Sequence, residues 1–132
     1  MEDKKLYWAT PACLMSELQD RFNFDYDPCP NPRPEGFDGL EVDWGKCNYI
    51  NPPFTGGVMK WIRKAIEEQK KGNTSVIIIP TYQTRATAVL HLAGAEIEFA
   101  GLPRWECLET GEPNPCREQD LQPCLLFILK GE

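Results

Sequence analysis

The run Val76-Ile77-Ile78-Ile79-Pro80 constrains the fold more than any other stretch of this 132-residue chain. Its β-branched residues favour a strand, and their lack of polar alternation requires cover on both faces, as in a parallel sheet. The flanking sequence supplies that cover. Upstream, Val58, Trp61, Ile62, Ala65 and Ile66 follow the helical period. Thr55 is placed to cap that helix, Lys70 and Lys71 suit its negative C-terminal end, and Gly72 offers a left-handed stop. A further helix is predicted over residues 84–93, ending at Gly94. Near the start, Thr10 reads as an N-cap and Pro11 as the first helical residue, and Leu14, Leu18 and Phe22 recur every four residues beside Met15.

Between these helices lie segments of strand and loop. Phe24-Asp25-Tyr26-Asp27 alternates like a short strand, and the prolines at 28, 30, 32 and 34 then forbid regular structure. Turns are predicted at Asp38-Gly39-Leu40 and at Gly45, with strands over 47–50, 96–99 and 125–129. Residues 101–122 read as a long polar connection containing Trp105. Strands alternating with helices predict an α/β sheet with helices on its faces, in one domain spanning 1–132.

Composition narrows the function classes. With 42% apolar and 26% charged residues the chain is globular rather than disordered, and no apolar run approaches the roughly 20 residues of a membrane span. The Met-Glu-Asp-Lys-Lys start lacks the apolar core of a secretory signal, so an intracellular protein is expected. A net charge of −6 argues against broad electrostatic capture of nucleic acid. Lys60, Arg63, Lys64, Lys70 and Lys71 form either a local basic face or an ordinary solvated helix surface. The six cysteines include no Cys-x-x-Cys pair and the one histidine, His91, is remote from them, so reduced, mostly buried thiols are expected and no metal site. A zinc site would need Cys107 and Cys116. His91, late in its helix, reads as structural.

Ligands of α/β sheets bind at the carboxyl ends of the strands. Three predicted strands end in unusual groups: Asp27-Pro28, Asn51-Pro52-Pro53-Phe54 and Pro80-Thr81. The prolines end the ladder because they lack an N–H. An asparagine side-chain oxygen and the next carbonyl are both acceptors, a pair suited to an exocyclic amino group with two hydrogens to donate. Such an amine is a poor nucleophile, since its lone pair is delocalised. Two acceptors holding it in a more tetrahedral geometry free that lone pair, and Phe54 can stack on a flat substrate.

Asn51-Pro52-Pro53-Phe54 matches the [Asn/Asp/Ser]-Pro-Pro-[Tyr/Phe/Trp] signature of amino-group methyltransferases. Trp8-Ala9-Thr10-Pro11, Phe24-Asp25-Tyr26-Asp27-Pro28-Cys29 and Asp38-Gly39-Leu40 with Trp44 precede it in order. The Trp61 and Ala65 helix, the 76–80 strand and the 123–129 strand follow. This ordered set, covering nearly the whole chain, resembles the phage-type (Dam-like) DNA N6-adenine methyltransferases. The resemblance implies a compact, minimal Rossmann-like class I methyltransferase sheet that transfers a methyl group from S-adenosylmethionine to adenine N6 in DNA. It also implies the cytoplasm of a bacterium or a phage-infected host cell. By the same resemblance, Asn51, Pro52, Pro53 and Phe54 are catalytic, and Trp8, Thr10, Pro11, Asp27, Pro28 and Asn51 line the cofactor. The resemblance also has Phe54 stacking on the base, and Arg104 and Trp105 are expected to contact the substrate because long loops often carry binding. Asp27-Pro28 looks like the start of the family's Asp-Pro-x-x-Gly-x-Gly loop, yet Pro30, Asn31 and Pro32 stand where its glycines belong. Asp27 then either opens that loop or acts as an acidic strand-end residue holding a ribose hydroxyl. Asp38, Asp43, Trp8 and Trp44 are candidates for the pocket wall, with turn capping and core packing as their alternatives. No separate target-recognition region is evident, which leaves specificity to loops, to a homo-oligomer or to a partner subunit. Transfer to RNA or to a protein amide, and a non-catalytic binding role, remain the alternatives.

Overall fold

The computed structural model describes residues 8–30, 34–53, 57–107, 113, 117 and 121–132. Among them the elements run β1 (Trp8–Ala9), α1 (Ala12–Phe22), β2 (Cys47–Ile50), α2 (Val58–Lys70), β3 (Thr74–Pro80), α3 (Thr84–Leu92), β4 (Glu96–Gly101), β5 (Glu106–Cys107) and β6 (Cys124–Leu129). Four strands form an open sheet in the order β2-β3-β6-β4. β2 and β3 are parallel, whereas β6 runs antiparallel to both β3 and β4. The sheet is therefore mixed, and the fully parallel neighbourhood expected around residues 76–80 is corrected on one side. An apolar run does not encode which partner it pairs with, so β6 inserts between strands that precede it in the chain.

β3 does face apolar cover on both sides. Its Val76 and Ile78 meet Leu18 of α1 together with Tyr49, Cys124 and Leu126. Ile77 and Ile79 meet α2 through Trp61, Ile62 and Ala65, and α3 through Ala86 and Leu90. The alternation of a pleated strand sends successive side chains to opposite faces, which yields three layers with α1 on one side and α2 and α3 on the other. Among the described residues, no helix is long and apolar enough to cross a membrane.

Three local expectations need correction. α1 begins at Ala12 with Pro11 in the cap position and no side-chain cap, because the Thr10 hydroxyl is shared instead with the Tyr49 hydroxyl at 2.7 Å. The segment 24–27 contributes a single parallel bridge, Tyr26 to Asn48, rather than a full strand. Within the connection 101–122, β5 pairs antiparallel with β1, an association of two-residue strands too short to carry a periodic signal. α2 opens at Gly57 (φ 106°), and Thr55 lies outside the described residues. Gly72 and Gly94 stop α2 and α3 at φ values of 92° and 91°, as their positions predicted.

Two glycines hold the bridge segment in place. A side chain at Gly39 would collide with the Pro28 carbonyl, and one at Gly45 with Asp25 and Tyr26. Glycine is needed at both because the 38–46 loop lies backbone against the 25–28 segment. The Asp25 carboxylate accepts from the N–H groups of Lys46 and Cys47, and the Asn48 amide bonds Gly45 and the Thr74 carbonyl.

Candidate active site

The carboxyl edge of the sheet is stepped. β2 ends at Ile50, opposite Ile77, while β3 continues for three residues to Pro80. At about 3.3 Å per residue, the high side stands about 10 Å above the low side. The low side carries both the Asn51 turn and, across β2, the end of the Tyr26 bridge at Asp27. The high side is closed off, since Thr81 N–H donates to the Pro123 carbonyl. Asp27 and Asn51 thus share a ledge, and Pro80-Thr81 stands above it.

On that ledge the Asn51 side chain is half-buried and makes no hydrogen bond to a described residue, while Pro52 is buried and Pro53 exposed. Phe54 lies outside the described residues. The Asn51 backbone carbonyl accepts from the Cys29 thiol at 3.4 Å. Asp27 Oδ1 accepts the Cys29 N–H at 3.0 Å, and Oδ2 has no protein donor among the described residues. Although solvent reaches Asp27, the protein crowded around its carboxyl desolvates it and pushes its pKa up to about 6, against the lowering by the Cys29 N–H. A carboxyl raised by desolvation at a strand end is a functional-site candidate.

Three residues that sequence reasoning passed over complete the ledge. Cys29 links Asp27 to Asn51. Tyr49 is buried beneath them, its hydroxyl on Thr10, and burial raises its pKa, with the neighbouring Asp27, Cys29 and Cys124 adding to the effect. Cys124 is buried beside Tyr49 at the start of β6. Only the proximity of Cys29 to Asp27-Pro28 hinted at its role; Tyr49 and Cys124 depend on tertiary contacts that no local pattern reveals.

Other candidates lie elsewhere or serve the core. Trp44 is 7% exposed, stacks on Trp61 with ring centroids 6.3 Å apart and donates to the Gly39 carbonyl at 2.7 Å, so it is a core residue. Asp38 caps its own turn through the Leu40 N–H, and Asp43 faces solvent with Lys71. Trp8 is placed by its backbone in β1, opposite Cys107; its ring and the Cys107 side chain lie outside the description, as does Cys116. Trp105 packs against the α1-side core and Arg104 is half-buried just before it. The β1–β5 pair brings this segment beside the one leading into Thr10.

Lys64 and Lys71 are committed to Glu68, whereas Lys60, Arg63 and Lys70 are exposed on α2 without a carboxylate partner among the described residues. His91 is exposed, and Cys13 is exposed too, against the expectation of mostly buried thiols. Among the described residues no group of His, Cys, Asp and Glu is arranged to hold a metal ion.

The model of the DNA N-6-adenine-methyltransferase (Dam) family matches residues 1–130. The chain belongs to that family. No curated protein and no solved structure matches it. Membership makes the chain an adenine-specific DNA methyltransferase by family, and agrees with the resemblance carried by its ordered motifs. Within the Dam family the substrate is DNA, which sets aside RNA and protein amides as the first reading.

Proposed function

We propose that this Dam-family chain transfers a methyl group from S-adenosylmethionine to the N6 amine of adenine, at the ledge formed by Asp27 and Asn51. The observation that carries this reading is the pair of unused acceptors there: the Asn51 side-chain amide and Asp27 Oδ2 have no protein donor among the described residues. Both stand on one side of the step in the sheet edge. The whole of 1–132 acts as one Rossmann-like domain in this reading.

S-adenosylmethionine supplies an electrophilic methyl group on a sulfonium. The residues present suit it: an acceptor-only carboxylate at Asp27 matches a hydroxyl or ammonium donor, with Pro28 next to it and Thr10 linked to its surroundings through Tyr49. The Thr10 hydroxyl is already shared with Tyr49, so Thr10 would contribute its backbone. Asn51 Oδ1 and the Pro52 carbonyl would accept the two amine hydrogens, which would localise the nitrogen lone pair for attack. Pro53 keeps Pro52 extended, and Phe54 stacks on the adenine. Reaching N6 in a duplex requires the base to be flipped from the stack, with Arg104 and Trp105 contacting the flanking DNA. The exposed Lys60, Arg63 and Lys70 offer phosphate contacts despite the net charge of −6. Sequence choice rests on the loops, on a second copy or on a partner subunit.

The test is tritiated methyl transfer to unmethylated DNA, with RNA and protein as parallel substrates. Asn51→Ala is expected to lower kcat by about 100–1,000-fold, the usual cost of losing an acceptor or donor aimed at the transition state. Phe54→Ala should raise KM for DNA by about tenfold or more, as expected for a lost base stack, while leaving cofactor affinity nearly unchanged. Transfer at wild-type rate by Asn51→Ala refutes the mechanism.

A further inference from the structure

Cys29 sits where the two halves of the ledge meet. Its backbone N–H donates to Asp27 Oδ1 at 3.0 Å, and its thiol donates to the Asn51 carbonyl at 3.4 Å. Its side chain is half-buried against the core between α2 and the sheet. Burial first, and the charge of Asp27 second, push the thiol pKa far above its ordinary range, so the S–H proton is present to be donated.

What that thiol holds has leverage. The Asn51 carbonyl and the Pro52 nitrogen belong to one rigid peptide plane. The ring of Pro52 fixes its φ, and the following Pro53 confines its ψ to extended values. No soft torsion is left between the Asn51 carbonyl and the Pro52 carbonyl. Setting the direction of the first therefore sets the direction of the second. The two consecutive prolines act as a stiff lever, and Cys29 holds its near end.

We infer that Cys29 is a positioning residue that couples Asp27 to the Asn51-Pro52 peptide, so that occupancy of the cofactor side and engagement of adenine in DNA strengthen each other. This rests on the function proposed above. A ligand held by Asp27 reorients the carboxylate that anchors the Cys29 N–H, and the shift reaches the Pro52 carbonyl through the thiol. By linkage, DNA must raise cofactor affinity by the same factor that cofactor raises DNA affinity.

The experiment compares full-length wild type, Cys29→Ala and Cys29→Ser. S-adenosylhomocysteine binding is measured by calorimetry, DNA affinity with and without S-adenosylhomocysteine, and kcat for methyl transfer. In the wild type, S-adenosylhomocysteine is expected to tighten DNA binding about fivefold or more. Cys29→Ala should bring that factor close to one and lower kcat about tenfold, with S-adenosylhomocysteine affinity by itself within about threefold of wild type. Cys29→Ser, which keeps a donor, should recover most of both. Wild-type coupling and kcat in Cys29→Ala, or no recovery in Cys29→Ser, overturns the inference and leaves the function standing. Wild-type protein that neither binds S-adenosylhomocysteine nor methylates DNA overturns the function and the coupling together. If Cys29→Ala fails to fold, the S–H infrared band present in wild type and missing from Cys29→Ser decides the matter. That band should shift when S-adenosylhomocysteine is added, and an unmoved band refutes the coupling.

Discussion

Glu68 and Asp27 are carboxylates set against the same 38–46 loop region from opposite ends, and exposed area and local crowding pull apart at the two positions. Glu68 has no exposed surface, yet it lies shallowly beneath Lys64 and Lys71 and accepts from the Trp44 N–H at 3.1 Å and the Asn73 amide at 2.8 Å. Burial alone would raise its pKa, but Asn73, Trp44 and Lys64 outweigh it, and the net shift is downward. Asp27 is reached by solvent, has one N–H partner and is shifted upward. Crowding around the carboxyl raises Asp27, with one N–H to oppose it, whereas several partners overcome burial at Glu68. The partners of Glu68 tie it to the fold, whereas the crowded, raised carboxyl of Asp27 is a functional-site candidate.

The sharpest way to break this comparison is Glu68→Ala. It strands the Trp44 N–H, the Asn73 amide and the mostly buried Lys64, while Lys71 keeps Asp43, and should destabilise the fold by about 3 kcal/mol in denaturant unfolding. Activity per folded molecule should be unchanged; a loss there would make Glu68 part of the site. Asp27→Asn should do the reverse, with a small change in stability and about a tenfold loss of S-adenosylhomocysteine affinity by calorimetry.

The acid responses of the two groups should also be opposite. If the ionised Asp27 carboxylate accepts from the cofactor, affinity should rise with pH through about 6 and fall by up to about tenfold per unit below it. That dependence should vanish in Asp27→Asn. For folding itself, the raised Asp27 pKa favours the native state at acid pH, an advantage lost as pH rises through about 6. Glu68 stabilises above its ordinary pKa, and its contribution is lost as pH falls through the lowered folded value. The smallest effect is expected from Thr10→Val. Because the hydroxyl already has Tyr49 as its partner, the loss should be about 0.5–1.5 kcal/mol of stability with little change in cofactor affinity.

The helices and most strands were legible because periodicity and chain punctuation are local. The 58–70 helical stripe, the two stop glycines and the β-branched run each declare themselves within a dozen residues. What stayed hidden depends on who meets whom across the chain. The antiparallel insertion of β6 is one case, since its apolar run fits any central position. The Thr10 hydroxyl is another: a capping role is the local choice, and Tyr49, 39 positions away, outcompetes it. At the ledge, Asn51 and Asp27 stood out by their proline neighbours, whereas Cys29 and Tyr49 gained meaning only through their distant partners, Asn51 and Thr10.

The placement of β6 also governs the order in which this molecule can be assembled. β3 and β4 are not neighbours; β4 reaches the sheet only through β6, which is synthesised after both. As the chain emerges from a ribosome, β2 and β3 can pair early, but β4 must wait without a ladder until residues 124–129 arrive. During that interval the apolar flank of β3 is an open edge able to recruit a strand from another nascent chain. Completion of the sheet is thus a late, long-range event, and the yield of native protein should depend on how quickly β6 docks.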